Sequence, residues 1–112
     1  MDLGVVSLAL GLLQEVAEIV EDVKSNQLQC QRLAARCLVL RNPLEKISAL
    51  DASQDQIRQA VTSVTELLTE IRDFMQQFHD RKWFAKAYKH GSDKISFNFY
   101  NEQLNHCLQS LQ

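Results

Sequence analysis

The stretch "DLGVVSLALGLLQEVAEIVEDV", residues 2–23, decides how this chain folds. Eleven uncharged, mostly apolar residues, Leu3 to Leu13, run into a segment that holds Glu15, Glu18, Glu21 and Asp22. Such a stretch can be a secretory signal, a membrane span or the first helix of a bundle. A secretory signal opens on bases and ends in small residues at a cleavage site, whereas this one opens on Met1-Asp2 and continues into Gln14-Glu15. Length alone allows a span, since about twenty residues at about 1.5 Å each cover about 30 Å. Energy does not. Each acid costs about 2.5–3.5 kcal/mol near a bilayer centre, and each large apolar residue returns only about 0.3–0.6 kcal/mol. On a helical wheel the acids fall within about 120° of one another, leaving Val5, Leu8, Leu12, Val16, Ile19 and Val23 as a face to bury. The expectation is a bundle helix over residues 3–24.

At 112 residues the chain is one domain, large enough to bury most of its apolar surface without staples. Three glycines, one proline and sixteen leucines suit helices far better than strands. The net charge of −2 gives no sign of a nucleic-acid binder. Three cysteines form no Cys-x-x-Cys pair. Cys30 and Cys37 stand two helical turns apart, about 10 Å, which is beyond disulfide reach. An odd number of unpaired thiols fits a reducing cytosol. The small net charge hides an asymmetry: residues 1–30 set one base, Lys24, against five acids, whereas residues 81–94 set Arg81, Lys82, Lys86, Lys89 and Lys94 against Asp93.

Downstream, helical patterns follow one another across short joints. Cys30, Leu33, Cys37, Leu40, Leu44 and Ile47 recur in steps of three and four over residues 27–50, with a kink near Pro43. Asn42-Pro43-Leu44-Glu45 also reads as a restart, with Asn42 as cap and Pro43 first. Ser53 and Gln56 form a capping box for a helix over 54–79, whose seam runs Ile57, Val61, Val64, Leu68, Ile71, Met75 and Phe78, widened by Leu67 and Phe74. A short helix over 82–90 closes at Gly91. The last helix, 96–111, carries Phe97, Tyr100, Leu104, Cys107 and Leu111. "ISFNF" alternates like a strand, but a strand there has no partner. The expected fold is all-α: an antiparallel four-helix bundle with a short additional helix between helices 3 and 4.

No catalytic constellation stands out, and the chain does not read as an enzyme. His79, His90 and His106 sit in unrelated contexts, and adjacent His106 and Cys107 point to different sides of a helix. No phosphate-binding glycine loop, nucleophile elbow or His-Glu-x-x-His occurs, so no metal or cofactor is expected. The basic-aromatic stretch "RKWFAKAYKHG", residues 81–91, has two readings. Its aromatics pin it to the bundle while its lysines are solvated, or it contacts an anionic membrane surface. In the second case each base contributes about 1 kcal/mol, so a handful hold the domain weakly and in a salt-dependent way.

"QCQRLAARCLVLRNPLEKI", residues 29–47, and "GSDKISF", residues 91–97, resemble the N-terminal four-helix bundle of the mixed lineage kinase domain-like family. That family executes necroptosis and belongs to a wider HeLo-like group of cell-death domains. The likeness rests on Gln29-Cys30 with Arg32-Leu33, on Pro43-Leu44, and on Asp93-Lys94-Ile95 with Phe97, in order across the chain. It implies a bundle held inactive in the cytoplasm by a brace and a kinase-like or receptor module, which would follow residue 112. It implies, on release, homo-oligomerisation, binding of anionic, phosphoinositide-like lipids and permeabilisation of the plasma membrane.

Carried onto this chain, Lys24 and Arg32 match family basic positions, and Lys94 matches a lysine to which no lipid role is given. The chain also departs from the pattern. Mammalian members carry bases late in helix 1 and at the entry to helix 2, where this chain has Glu18, Ile19, Gln27 and Leu28. Either the headgroup site moves to Arg81, Lys82, Lys86 and Lys89, helped by Arg32 and Arg36 one turn apart on one face, or this relative binds lipid poorly. In the lytic reading Val5, Leu8 and Leu12 meet lipid or neighbouring copies, while Glu15, Glu18 and Asp22 line water. The other reading is a non-lytic helical interaction module that signals by homotypic assembly or by docking a partner.

Overall fold

The first helix, α1 (Leu3–Asp22), buries a stripe made of Val6, Ala9, Leu12, Leu13 and Val16, flanked by half-buried Val5, Ile19 and Val20. The structure, a computed structural model, describes residues 3–22, 28–49, 55–80 and 90–111, apart from the side chains nearest the ends of these segments. All the described segments are helical: α2 (Leu28–Leu38), α3 (Arg41–Ala49), α4 (Asp55–Asp80) and α5 (His90–Leu111) follow α1. Two of them, α2 and α3, are halves of one broken rod, so four rods make an all-α bundle. The short helix expected over 82–90 and the capping Ser53 lie outside the described residues, apart from His90, which opens α5.

The face that α1 buries is not the expected one and lies more squarely opposite its acids. Leu8 is 57% exposed, and Val6, Ala9 and Leu13, absent from the expected seam, are sealed. At about 100° per residue the buried arc is turned roughly 60° farther from the acids than expected. Leu8 lies at the edge of the acidic side, and Ala9 and Val6 lie nearer the true centre. The larger side chain lost its place because position on the wheel outranks size.

Between α2 and α3 the chain turns at Val39 and Leu40. Leu40 N donates to Cys37 O at 3.0 Å, a tight closing bond for α2, and Leu44 N donates to Leu40 O at 3.1 Å, the first bond of α3. Leu40 is therefore in the cap position, not Asn42, and Pro43 is the third helical residue. The first four amides of a helix have no partner within it, so the missing N–H of Pro43 costs nothing there. Cys30, Leu33, Cys37, Leu40 and Leu44 are buried on both sides of the break, so one apolar row serves both halves.

Helix α4 provides the longest wall. Val61, Val64, Leu67, Leu68, Ile71 and Met75 are buried, and Ile57 and Phe74 are half-buried beside them, as the spacing predicts; the side chain of Phe78 lies outside the described residues. Thr65 is buried too, its hydroxyl satisfied by donating to Val61 O at 2.8 Å. Thr69 repeats the device, donating to Thr65 O at 2.9 Å. Helix α5 starts at His90, well before residue 96, and Gly91 belongs to its first turn. Phe97 and Leu104 are buried from it, with Tyr100, Cys107 and Leu111 half-buried.

The most extensive packing joins α1 to α4; α1 also lies against α2 and α3, α4 against α5, and α5 against α2. Phe74 of α4 meets Phe97 of α5 edge-to-face, with centroids 5.0 Å apart, and Tyr100 at 5.3 Å. Offset pairs of this kind add about 0.5–1.5 kcal/mol beyond their buried area.

Candidate functional site

Of the bases expected to meet lipid, Arg32 and Arg36 fall within the described residues; Lys24, Arg81, Lys82, Lys86 and Lys89 lie outside them. Arg32 and Arg36 are exposed one turn apart on α2, with Leu33 and Cys37 sealed behind them. Neither forms an ion pair with another described residue. Arg36 stands in the last turn of α2 and Lys46 in the last turn of α3, where cations complement the partial negative charge of a helix end.

Helix α1 supplies the other half of the expected site. Val5 is half-buried, Leu8 exposed and Leu12 buried, so the three do not form one lipid-facing stripe in this state. The outward face instead runs Gly4, Ser7, Leu8, Gly11, Glu15 and Glu18, small and apolar first and acidic later. A Cβ added at Gly4 or Gly11 would meet nothing within 4 Å. Glu15, Glu18 and Glu21 are all exposed; the side chain of Asp22 lies outside the described residues. No base occupies the last turn of α1, so Glu21 and Asp22 stand against a helix end that favours cations.

Among the described residues one ion pair between helices ties this acidic end to the bundle, and nothing in the sequence marked it. Arg72 of α4 donates from Nη1 to Glu15 Oε2 at 2.9 Å, and from Nη2 and Nε to Asp73 Oδ1 at 3.0 and 3.2 Å. The hydrogen bonds to Glu15 and Asp73 raise the pKa of Arg72 above its ordinary value, so the guanidinium stays charged. Glu18 accepts a bond from Gln14 Nε2 at 3.3 Å. No period in either helix announces a cross-helix pair, because it depends on how two rods are rotated against each other.

A groove of about 440 Å³ lies between α4 and α5, lined by Gln56, Gln59, Ala60, Ser63, His106, Cys107 and Ser110. His106 and Cys107, expected on different sides of their helix, thus border the same groove. The groove gathers no charged pair, and Ser110 already donates to His106 O at 3.1 Å. Burial raises the Cys107 thiol, which favours its protonated form. Among the described residues no three metal-ligating side chains come together, and no helix is long and apolar enough to cross a membrane.

Residues 6–112 match the family model described as the mixed lineage kinase domain-like N-terminal domain. The chain is 31% identical over 100 residues to the mixed lineage kinase domain-like protein of Mus musculus, across 88% of this chain and 21% of that protein. The chain thus spans about a fifth of the length of the curated relative it matches. No solved structure matches it.

Proposed function

The chain belongs to the mixed lineage kinase domain-like N-terminal domain family, and from that premise we propose that it is a cell-death effector domain which, once released, assembles on anionic membranes and permeabilises them. The resting bundle is cytoplasmic and is restrained by a kinase-like or receptor module elsewhere in the full-length protein. The active form is a homo-oligomer at the plasma membrane. Arg81, Lys82, Lys86 and Lys89, with Lys24, Arg32 and Arg36, recruit it to lipid headgroups.

The observation that supports this reading is the outward face of α1. Leu8 is 57% exposed, Gly4 and Gly11 leave open surface, and the following turns carry Glu15, Glu18 and Glu21 in water. Such a face can meet other copies, whereas a lone α1 cannot carry its acids into lipid. Several copies side by side can turn Val5, Leu8 and Leu12 toward lipid or each other while the carboxylates share a wet interior, which favours cations. Exposed Arg32 and Arg36 are available for headgroups, with no ion pair to another described residue to break.

Dye release from anionic vesicles tests the proposal. The domain should release dye, reversal of the bases at 81–89 should slow release at least severalfold, and high salt should do the same. No release at any concentration would sink the lytic reading. The alternative, a non-lytic interaction module, is favoured by the Arg72–Glu15 contact, which keeps α1 packed. A disulfide tying α1 to α2 separates the two: a docking module works with the bond closed, whereas the effector works only after reduction.

A further inference from the structure

Two large apolar side chains near the start of α5 lie in solvent: Ile95 is 72% exposed and Phe99 is 50% exposed. They are four residues apart, hence neighbours on one face of the helix. The strand-like alternation of "ISFNF" is resolved by this geometry. Wound into a helix, it sends Phe97 into the core, 2% exposed, and places Ile95 and Phe99 together on the other side. Phe99 is not loose there. Its ring meets Tyr100 at 5.5 Å, Tyr100 meets Phe74 at 5.3 Å, and Phe74 meets buried Phe97 at 5.0 Å. The exposed ring is thus the outer member of an aromatic cluster anchored in the core, held out with little freedom left to lose on binding.

We propose that Ile95 and Phe99 form an apolar foot that enters the interfacial layer of an anionic lipid bilayer, an inference that rests on the membrane reading above and names the side chains that hold the domain after its bases have brought it there. Charge identifies the occupant. Lys94, exposed, adjoins Ile95, and Lys86 and Lys89 lie just upstream in sequence. An apolar pair beside a base, with further bases close upstream in the sequence, suits a surface that is anionic outside and greasy beneath. Exposed Glu102, one turn beyond Phe99, marks where the foot ends, because an acid gains nothing at such a surface. Bases act over a Debye length and yield to salt; an apolar foot acts by contact and does not.

The test uses the 112-residue chain with phosphatidylcholine–phosphatidylserine vesicles at low and high salt, comparing it with an Ile95→Ser/Phe99→Ser double variant. Because both positions are exposed, the variant should melt where the parent does. The parent should stay bound in part when salt is raised on preformed complexes. The variant should bind at least about tenfold more weakly and be released completely. Phe99→Trp should retain the parent's binding, since tryptophan favours the interface. Equal binding of parent and variant at both salts overturns the foot and leaves the membrane reading standing. Loss of self-association in lipid-free solution, with vesicle binding intact, overturns it in favour of a second copy as occupant. A parent that ignores anionic vesicles altogether overturns both.

Discussion

Arg72 and Glu15, 57 residues apart in sequence, meet at 2.9 Å across the packing of α1 on α4. The side chains are 33% and 51% exposed, so water and salt weaken the attraction. A double-mutant cycle with Glu15→Gln and Arg72→Gln should return a coupling of about 0.2–1 kcal/mol that shrinks in high salt. Either variant should also speed dye release if α1 must leave the bundle. A coupling of zero would show that the pair does not restrain α1.

The rotated buried face of α1 makes a second prediction, a contrast between Leu8 and Leu12. Leu12 is 3% exposed and Leu8 57%. Leu12→Ala should cost about 2–5 kcal/mol in chemical denaturation, whereas Leu8→Ala should stay within about 0.5 kcal/mol. Comparable losses at the two positions would contradict the face described here. For the lytic activity the order should reverse: Leu8→Ala should weaken dye release without weakening the fold.

Much of this architecture is readable before any coordinates. The seams of α2, α3, α4 and α5 follow periods of three and four, and every described member is buried or half-buried. What failed did so for physical reasons. On α1 nearly every early residue is apolar, so the period carries little information, and the expected seam stopped about 60° short of the face that lies opposite the acids. At Pro43 the ring suggested a kink or a start, but the tight turn formed by Leu40 N and Cys37 O lies upstream, where no residue type advertises it. The Arg72–Glu15 pair and the Ile95–Phe99 foot are relations between surfaces, which no single helix encodes.

A third prediction concerns pH. Burial pushes the Cys37 thiol up to about 12 from an ordinary value of 9.0. The unfolded chain therefore releases this proton near pH 9, and the folded chain keeps it until about pH 12. The contribution is fully present below the lower value and is lost as pH rises toward the upper one. The slope is about 1.4 kcal/mol per pH unit. Denaturation curves between about pH 8 and 10 should show stability falling, and Cys37→Ala should flatten the fall by about one proton's worth. Part should remain, because burial also raises Cys107. An unchanged slope in the variant would mean that Cys37 is in contact with water.

Gly4 and Gly11 lie on open helical surface, where a methyl group would touch nothing. Exchanging either for alanine should stabilise the resting bundle by about 1 kcal/mol, measurable as a rise in melting temperature of several degrees. The opening rod thus carries weaker helix formers than its surroundings permit, and its acidic far end opposes its own polarity. A domain meant only to endure would have closed both gaps. One that has to surrender this rod on cue sits closer to the threshold by leaving them open, and the alanine variants should therefore be the sturdier proteins and the slower killers.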